Sequence, residues 1–170
     1  LARTGGGILW IAALLATLLP IERLILPDRQ SGVLDQLALR GWSDELVATA
    51  KIAGQIVAFA LPLLLATVVG SALIGLPEAQ LGTLLLGLAL ALPALAGLSV
   101  MIAALTAGLS GASALGGLLL VPLTIPLLIF GAGTLAEDPR NAMQLLAATS
   151  LAITALSPFA AGAALRAGRI

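Results

Sequence analysis

The 170 residues are 60% hydrophobic and 9% charged, with a mean hydropathy of +1.15. That leaves too little polar surface to cover a soluble globule, so the chain reads as an integral membrane protein. Eight basic and eight acidic residues give a formal charge of zero, and no basic cluster is dense enough for nucleic acid. The absence of Cys, His and Tyr removes thiol chemistry, imidazole acid/base work and the usual soft metal ligands.

A bilayer core needs roughly 20 apolar residues per helix. Thr4 to Ile21 meets that ruler, opening on Gly5-Gly6-Gly7, with Trp10 expected near one interface and Pro20 at the other. The chain starts at Leu1, and an upstream segment is expected to be missing. Nothing at the start resembles a cleavable signal peptide.

Residues 22–51 form the one long polar passage and hold nine of the sixteen charges. The charges are interleaved with Val33, Leu34, Leu37, Leu39, Trp42, Leu46 and Val47, the pattern of short amphipathic helices. Asp28 or Ser31 is expected to cap the first of these, with Val33, Leu34, Leu37 and Ala38 as its apolar stripe. Gly41 is a stop signal. Ser43 should cap a second helix whose first turn carries Asp44 and Glu45, and this helix is expected to run into the next span. The plainest reading of the passage is an interfacial helix resting on lipid headgroups.

Further spans are expected at residues 52–76, 81–107, 115–135 and 142–165, which with 5–21 makes five in one transmembrane domain. Pro77 ends the second, residues 108–113 supply a small-residue turn, and Glu137-Asp138-Pro139-Arg140 is a short polar turn. Arg23, Arg29, Arg40, Lys51, Arg166 and Arg169 lie on one side, against Arg3 and Arg140 on the other. Six against two places the polar passage and the C-terminus in the cytoplasm.

No formal charge falls in mid-span, so the chain is poorly equipped to couple transport to protons by itself. Gly70-Ser71-Ala72, Gly82 and the small residues of 111–117 are suited to close helix contacts. Pro122-Leu123-Thr124-Ile125-Pro126 removes two amide donors within one stretch, with the Thr124 hydroxyl between them expected to compensate, and predicts a kinked or broken helix that either shapes a gate or merely fits its neighbours. Ser157-Pro158 repeats the device more weakly. Met101 and Met143 can in principle ligate haem iron, but core filling is the ordinary role of such residues. Neither a nucleophile beside a base nor a phosphate-binding loop is present.

Trp10-Ile11-Ala12-Ala13-Leu14-Leu15 leading to Glu22-Arg23, and Asp28-Arg29-Gln30-Ser31-Gly32-Val33-Leu34-Asp35-Gln36-Leu37, resemble the CcmB family, a membrane component of the haem-exporter ABC complex in cytochrome c maturation. The string Val121-Pro122-Leu123-Thr124-Ile125-Pro126-Leu127-Leu128-Ile129-Phe130, with Leu156-Ser157-Pro158-Phe159 and Ala163-Ala164-Leu165-Arg166, is similar to that family too. The resemblance implies an all-α permease bundle of the ABC-2 type in the bacterial inner membrane, with six spans in the complete family pattern. It also implies an ABC ATPase subunit, a second copy of the chain, a haem-handling membrane subunit, a small accessory subunit and a periplasmic haem chaperone as partners. Within it, residues 22–51 become the coupling segment, with Arg29, Gly32, Asp35, Gln36 and Arg40 as candidate ATPase-coupling residues. Pro122, Thr124, Pro126 and Pro158 are the candidate gate or kink. No cofactor is assigned to the chain; haem is a candidate substrate of the complex, axially ligated in another subunit. The alternatives are an ABC-2 permease for a lipid or polysaccharide and a membrane scaffold that transports nothing.

Overall fold

The computed structural model describes residues 2–16, 21–107, 109, 112–136 and 139–168. Among them the chain forms seven helices and no strand: α1 (Ala2–Ala16), α2 (Ile21–Gln30), α3 (Val33–Leu39), α4 (Asp44–Ile74), α5 (Glu78–Thr106), α6 (Ala112–Gly133) and α7 (Arg140–Ala167). Five stretches are long and apolar enough to cross a membrane: Gly5–Gln30, Asp44–Ile74, Glu78–Thr106, Ala114–Gly133 and Arg140–Ala167. Pro20, most of the turn expected at 108–113, Glu137, Asp138 and Arg169 lie outside the described residues.

The first apolar stretch reaches further than its composition indicates. Helical structure resumes at Ile21 and continues to Gln30, with Pro27 inside it. Ile21 and Ile25 recur at i, i+4 and are buried, whereas Glu22 and Arg23 are exposed. One buried face is enough to hold a charged segment in a helix. Asp28 is therefore within α2 and caps nothing, and Ser31 uses its hydroxyl to donate to the Asp28 carbonyl. Gly32, at φ 72°, makes the break between α2 and α3 in place of a side-chain cap.

The second half of the passage folds as its residues dictate. Gly41 has φ 82°, a left-handed conformation that costs glycine little. The Ser43 hydroxyl accepts from the Leu46 amide at 3.3 Å, Asp44 and Glu45 occupy the first turn, and α4 runs unbroken for 31 residues. At its far end Gly75 closes the helix at φ 71°.

α5 is the central post. Of its most apolar window 72% is buried, against 17% for α4 and 28% for α6 and α7, and it touches α1, α2, α4, α6 and α7. The core has two storeys. At the α3 end Ile25, Leu34, Ile52, Ile102, Leu120 and Leu165 pack together; at the opposite end Trp10, Leu63, Leu88, Leu95, Leu127 and Leu146 do so. Met101 packs against both, which is the core-filling role.

Lipid tails are as apolar as leucine, so helix association here rests on close fit and on hydrogen bonds. A Cβ on Gly97 of α5 would lie 2.5 Å from the Ser157 hydroxyl oxygen of α7, so the two helices approach at a point that admits no side chain. Ser150 of α7 donates to the Leu90 carbonyl of α5 at 2.5 Å. Thr67, Ser99, Thr106 and Thr154 instead return their hydroxyls to carbonyls four residues back in their own helices, which satisfies them without a partner helix. Replacing Ser150 by Ala should therefore cost more than replacing Thr67 by Ala, by about 0.6 kcal/mol, the typical value of an interhelical bond in a membrane. Thermal unfolding of the two variants in detergent measures the difference.

Trp10 does not face lipid. It is fully buried, its ring filling a slot made by two glycines. A Cβ on Gly131 of α6 would come within 2.7 to 2.8 Å of three ring atoms, and one on Gly87 of α5 within 3.1 Å. Among the described residues the indole N–H has no hydrogen-bond partner, and the fit of the ring to this slot holds it in place.

Candidate functional site

The α2–α3–α4 elbow carries most of the candidate residues, and the structure separates them into two groups. Arg29 turns inward. One of its guanidinium nitrogens donates to the Ala107 carbonyl at 2.7 Å and another to the Gly168 carbonyl. Ala107 and Gly168 are the C-terminal caps of α5 and α7, where backbone carbonyls lack intrahelical donors and the helix dipole is negative. A planar fork with several donors suits two diverging carbonyls. Arg29 thus ties the end of α2 to the ends of two spans. Asp35 shares a cavity of about 240 Å³ with Arg29, Leu34, Leu165 and Gly168.

Gln36 and Arg40 take the other side of α3, both exposed. Leu34 is buried and Leu37 and Ala38 are half-buried, but Val33, expected in that apolar stripe, is 39% exposed, and Leu39 is 88% exposed. The outward face is thus a mixed one, in which Val33, Gln36, Leu39 and Arg40 stand together while the inward face is held by the bundle. The sequence marks Leu39 and Trp42 only as part of an amphipathic pattern; their projection away from the core depends on how α3 is seated.

Two ion pairs brace the elbow from behind. Lys51 of α4 pairs with Asp28 of α2, and Arg166 of α7 with Glu45 in the first turn of α4. Gly162, one turn before Arg166, brings α7 against that same first turn: a Cβ there would lie 3.0 Å from the Glu45 amide nitrogen. Exposed ion pairs contribute little to stability by themselves. Their importance is geometric, because with Arg29 they join α2, α4, α5 and α7 at one level.

The proline stretch is arranged differently from the expectation. α6 runs as one helix through Pro122 and Pro126, so of the expected kink or break it is the break that does not occur. Each proline removes a single i→i−4 bond, leaving the carbonyls of Leu118 and Pro122 without that donor while neighbouring bonds persist. Thr124 does not compensate either of them, since its hydroxyl donates to the Val121 carbonyl at 2.9 Å. Both prolines are exposed on the outer surface of α6, whereas Thr124 and Leu127 face the bundle. Pro158 is half-buried in α7 beside Ser157, the residue that abuts Gly97. The elbow candidates and the proline candidates do not converge on one pocket. At the end of the bundle away from α3, a separate cavity of about 680 Å³ is lined by Gln80, Thr83, Thr134, Leu135 and Pro139.

The family model described as "CcmB protein" matches residues 1–168. "Heme exporter protein B" of Paracoccus denitrificans is 41% identical over 171 residues, covering 98% of this chain and 78% of that protein. Proteins of the same name from Haemophilus influenzae and Escherichia coli K12 are each 37% identical, covering 98% of this chain and 77% and 78% of their own lengths. An all-helical bundle with five apolar stretches of spanning length, matched from end to end by these relatives, belongs to the CcmB protein family.

Proposed function

We propose that this chain is the membrane permease subunit of a haem exporter serving cytochrome c biogenesis in the bacterial inner membrane, driven by ATP hydrolysis in a partner subunit. The names of its relatives support haem as the cargo of the complex. The observation that carries the coupling role is the two-sided character of α3. Its inner face is fixed to the bundle through Leu34, with Arg29 just before it reaching the ends of α5 and α7, and its outer face presents Val33, Gln36, Leu39 and Arg40. A push on such a face is transmitted directly to two spans. With the excess of Lys and Arg on this side, the elbow and the C-terminus are cytoplasmic.

In this reading Gln36 and Arg40 touch the ATPase, Asp35 sits at the edge of the contact, and Arg29 with Gly32 forms the joint behind it. A second copy, a haem-handling membrane subunit, a small accessory subunit and a periplasmic haem chaperone complete the assembly. The chain has no His, Cys or Tyr, so axial ligation of haem falls to another subunit. Asp35→Ala combined with Arg40→Ala should reduce co-purification of the ATPase about tenfold or more, in line with the loss of rim charges at a small interface, while membrane insertion is unchanged. Normal co-purification would remove the coupling role.

Moving permease and static scaffold differ at α6. Its two prolines leave two carbonyls without their usual donors on an exposed face, the kind of weak point at which a helix bends. Pro122→Ala with Pro126→Ala restores both bonds. The expected result is intact assembly with loss of chaperone maturation, measured as haem covalently held by the chaperone; undiminished maturation would favour the scaffold.

A further inference from the structure

Beside the elbow, on the surface formed by α2, the Trp42 loop and α4, lies an open groove of about 480 Å³. Its wall is apolar, with Leu46 and Gly54 from α4, yet it contains two cations, Arg23 and Lys51. Their backbone positions are set back from the α3 level. α2 runs toward the α3 level and α4 away from it, and each cation lies seven residues from the end of its helix nearest α3, about 10 Å at 1.5 Å per residue. Lys51 is paired with Asp28, whereas Arg23 has no ion pair among the described residues. A guanidinium at that depth beside an apolar wall requires an anion or water.

Leu46, Ala50 and Gly54 in the groove are followed along α4 by Val57, Leu61 and Leu65, at helical spacing and from 56% to 78% exposed. One strip therefore joins a cationic mouth, an amphipathic Trp42 at the water-facing end and an apolar track leading into the bilayer. We propose that this groove is a binding site for an anionic glycerophospholipid of the adjacent leaflet, its phosphodiester on Arg23 and an acyl chain along the Gly54 to Leu65 strip. A second copy of the chain would match the apolar strip, whereas an anionic headgroup with its acyl chain matches both the strip and the Arg23 guanidinium.

Only Trp10 and Trp42 fluoresce as indoles here, and Trp10 is fully buried. The quenching of Trp42 is therefore the signal of the unaltered chain minus that of Trp42→Phe. In phosphatidylcholine vesicles carrying equal mole fractions of brominated phosphatidylglycerol or brominated phosphatidylcholine, the anionic lipid should associate about fivefold more strongly, the factor of one cation–headgroup contact. Arg23→Gln should bring the two lipids level. Gly54→Leu, at a position with nothing within 4 Å of a built Cβ, should lower quenching by both because the groove is filled while the fold has room for the side chain. Equal quenching by the two lipids in the unaltered chain, or protection of Trp42 from both by a covering polypeptide, would overturn the assignment.

Discussion

Replacing Gly131 with leucine should be the most damaging single change in the bundle. The Trp10 ring already lies 2.7 Å from where a Cβ would stand, and Gly87 closes the slot from the other side. The indole is buried with Leu88, Leu95 and Leu127 in one core storey and cannot swing aside without displacing them. Overpacking of a well-filled core costs about 1–3 kcal/mol and more where the neighbour is rigid. Even Gly131→Ala should destabilise, because its gain in helix propensity, up to about 1 kcal/mol, is smaller than the cost of moving the ring. Gly82→Ala is the control: nothing lies within 4 Å of its Cβ, so the propensity gain stands alone. Thermal unfolding in detergent should rank the chain as Gly82→Ala, unaltered, Gly131→Ala, Gly131→Leu, in falling stability. A Gly131→Leu chain as stable as the unaltered one would mean that Trp10 does not occupy the slot.

Arg29→Met is the second large effect, and its signature is functional. The change keeps much of the apolar stem but removes donors from the carbonyls capping α5 and α7. Hydrogen bonds to a charged group contribute about 1.5–3 kcal/mol when well sheltered, and the half-exposed position of Arg29 brings the expected loss toward the lower end. Because the outward face of α3 is untouched, the ATPase should still bind. Haem delivery to the chaperone should fall about tenfold or more, since a decade corresponds to about 1.4 kcal/mol and the joint between α2 and the two spans would be open. Arg29→Lys should recover only part of the loss, because an ammonium cannot fork to two carbonyls. Loss of ATPase co-purification in Arg29→Met would instead place Arg29 in the contact itself.

What can be read from the sequence follows from how local each cause is. The Ser43 cap, the acidic first turn of α4 and the left-handed Gly41 depend on residues within one turn of one another, and they form as expected. The five apolar stretches are equally legible, because hydropathy over about 20 residues needs no knowledge of neighbours. The sequence marks Arg29 as a candidate in the polar passage but does not show its contacts: its acceptors lie 78 and 139 residues away. Trp10 is legible as a residue near a span end but its burial is not, because the slot that takes its ring is made by Gly87 and Gly131 from two other helices. The helical state of residues 21–30 is obscured by Glu22, Arg23 and Asp28, whose polarity hides the i, i+4 pair Ile21 and Ile25. At Pro122 and Pro126 the local rule is right about the lost bonds, and the intact bonds between them keep α6 helical.

The coupling role depends most on α3 presenting its outer face to a cytoplasmic ATPase. Because the chain contains no cysteine, a single Cys placed at Leu39 reports one position alone, with Leu34→Cys as the buried counterpart. Thiol-specific cross-linking of the assembled complex should join Leu39→Cys to the ATPase subunit and leave Leu34→Cys unreacted. Modification of Leu39→Cys by a membrane-impermeant maleimide added to the periplasmic side of intact cells, with no cross-link to the ATPase, would contradict it.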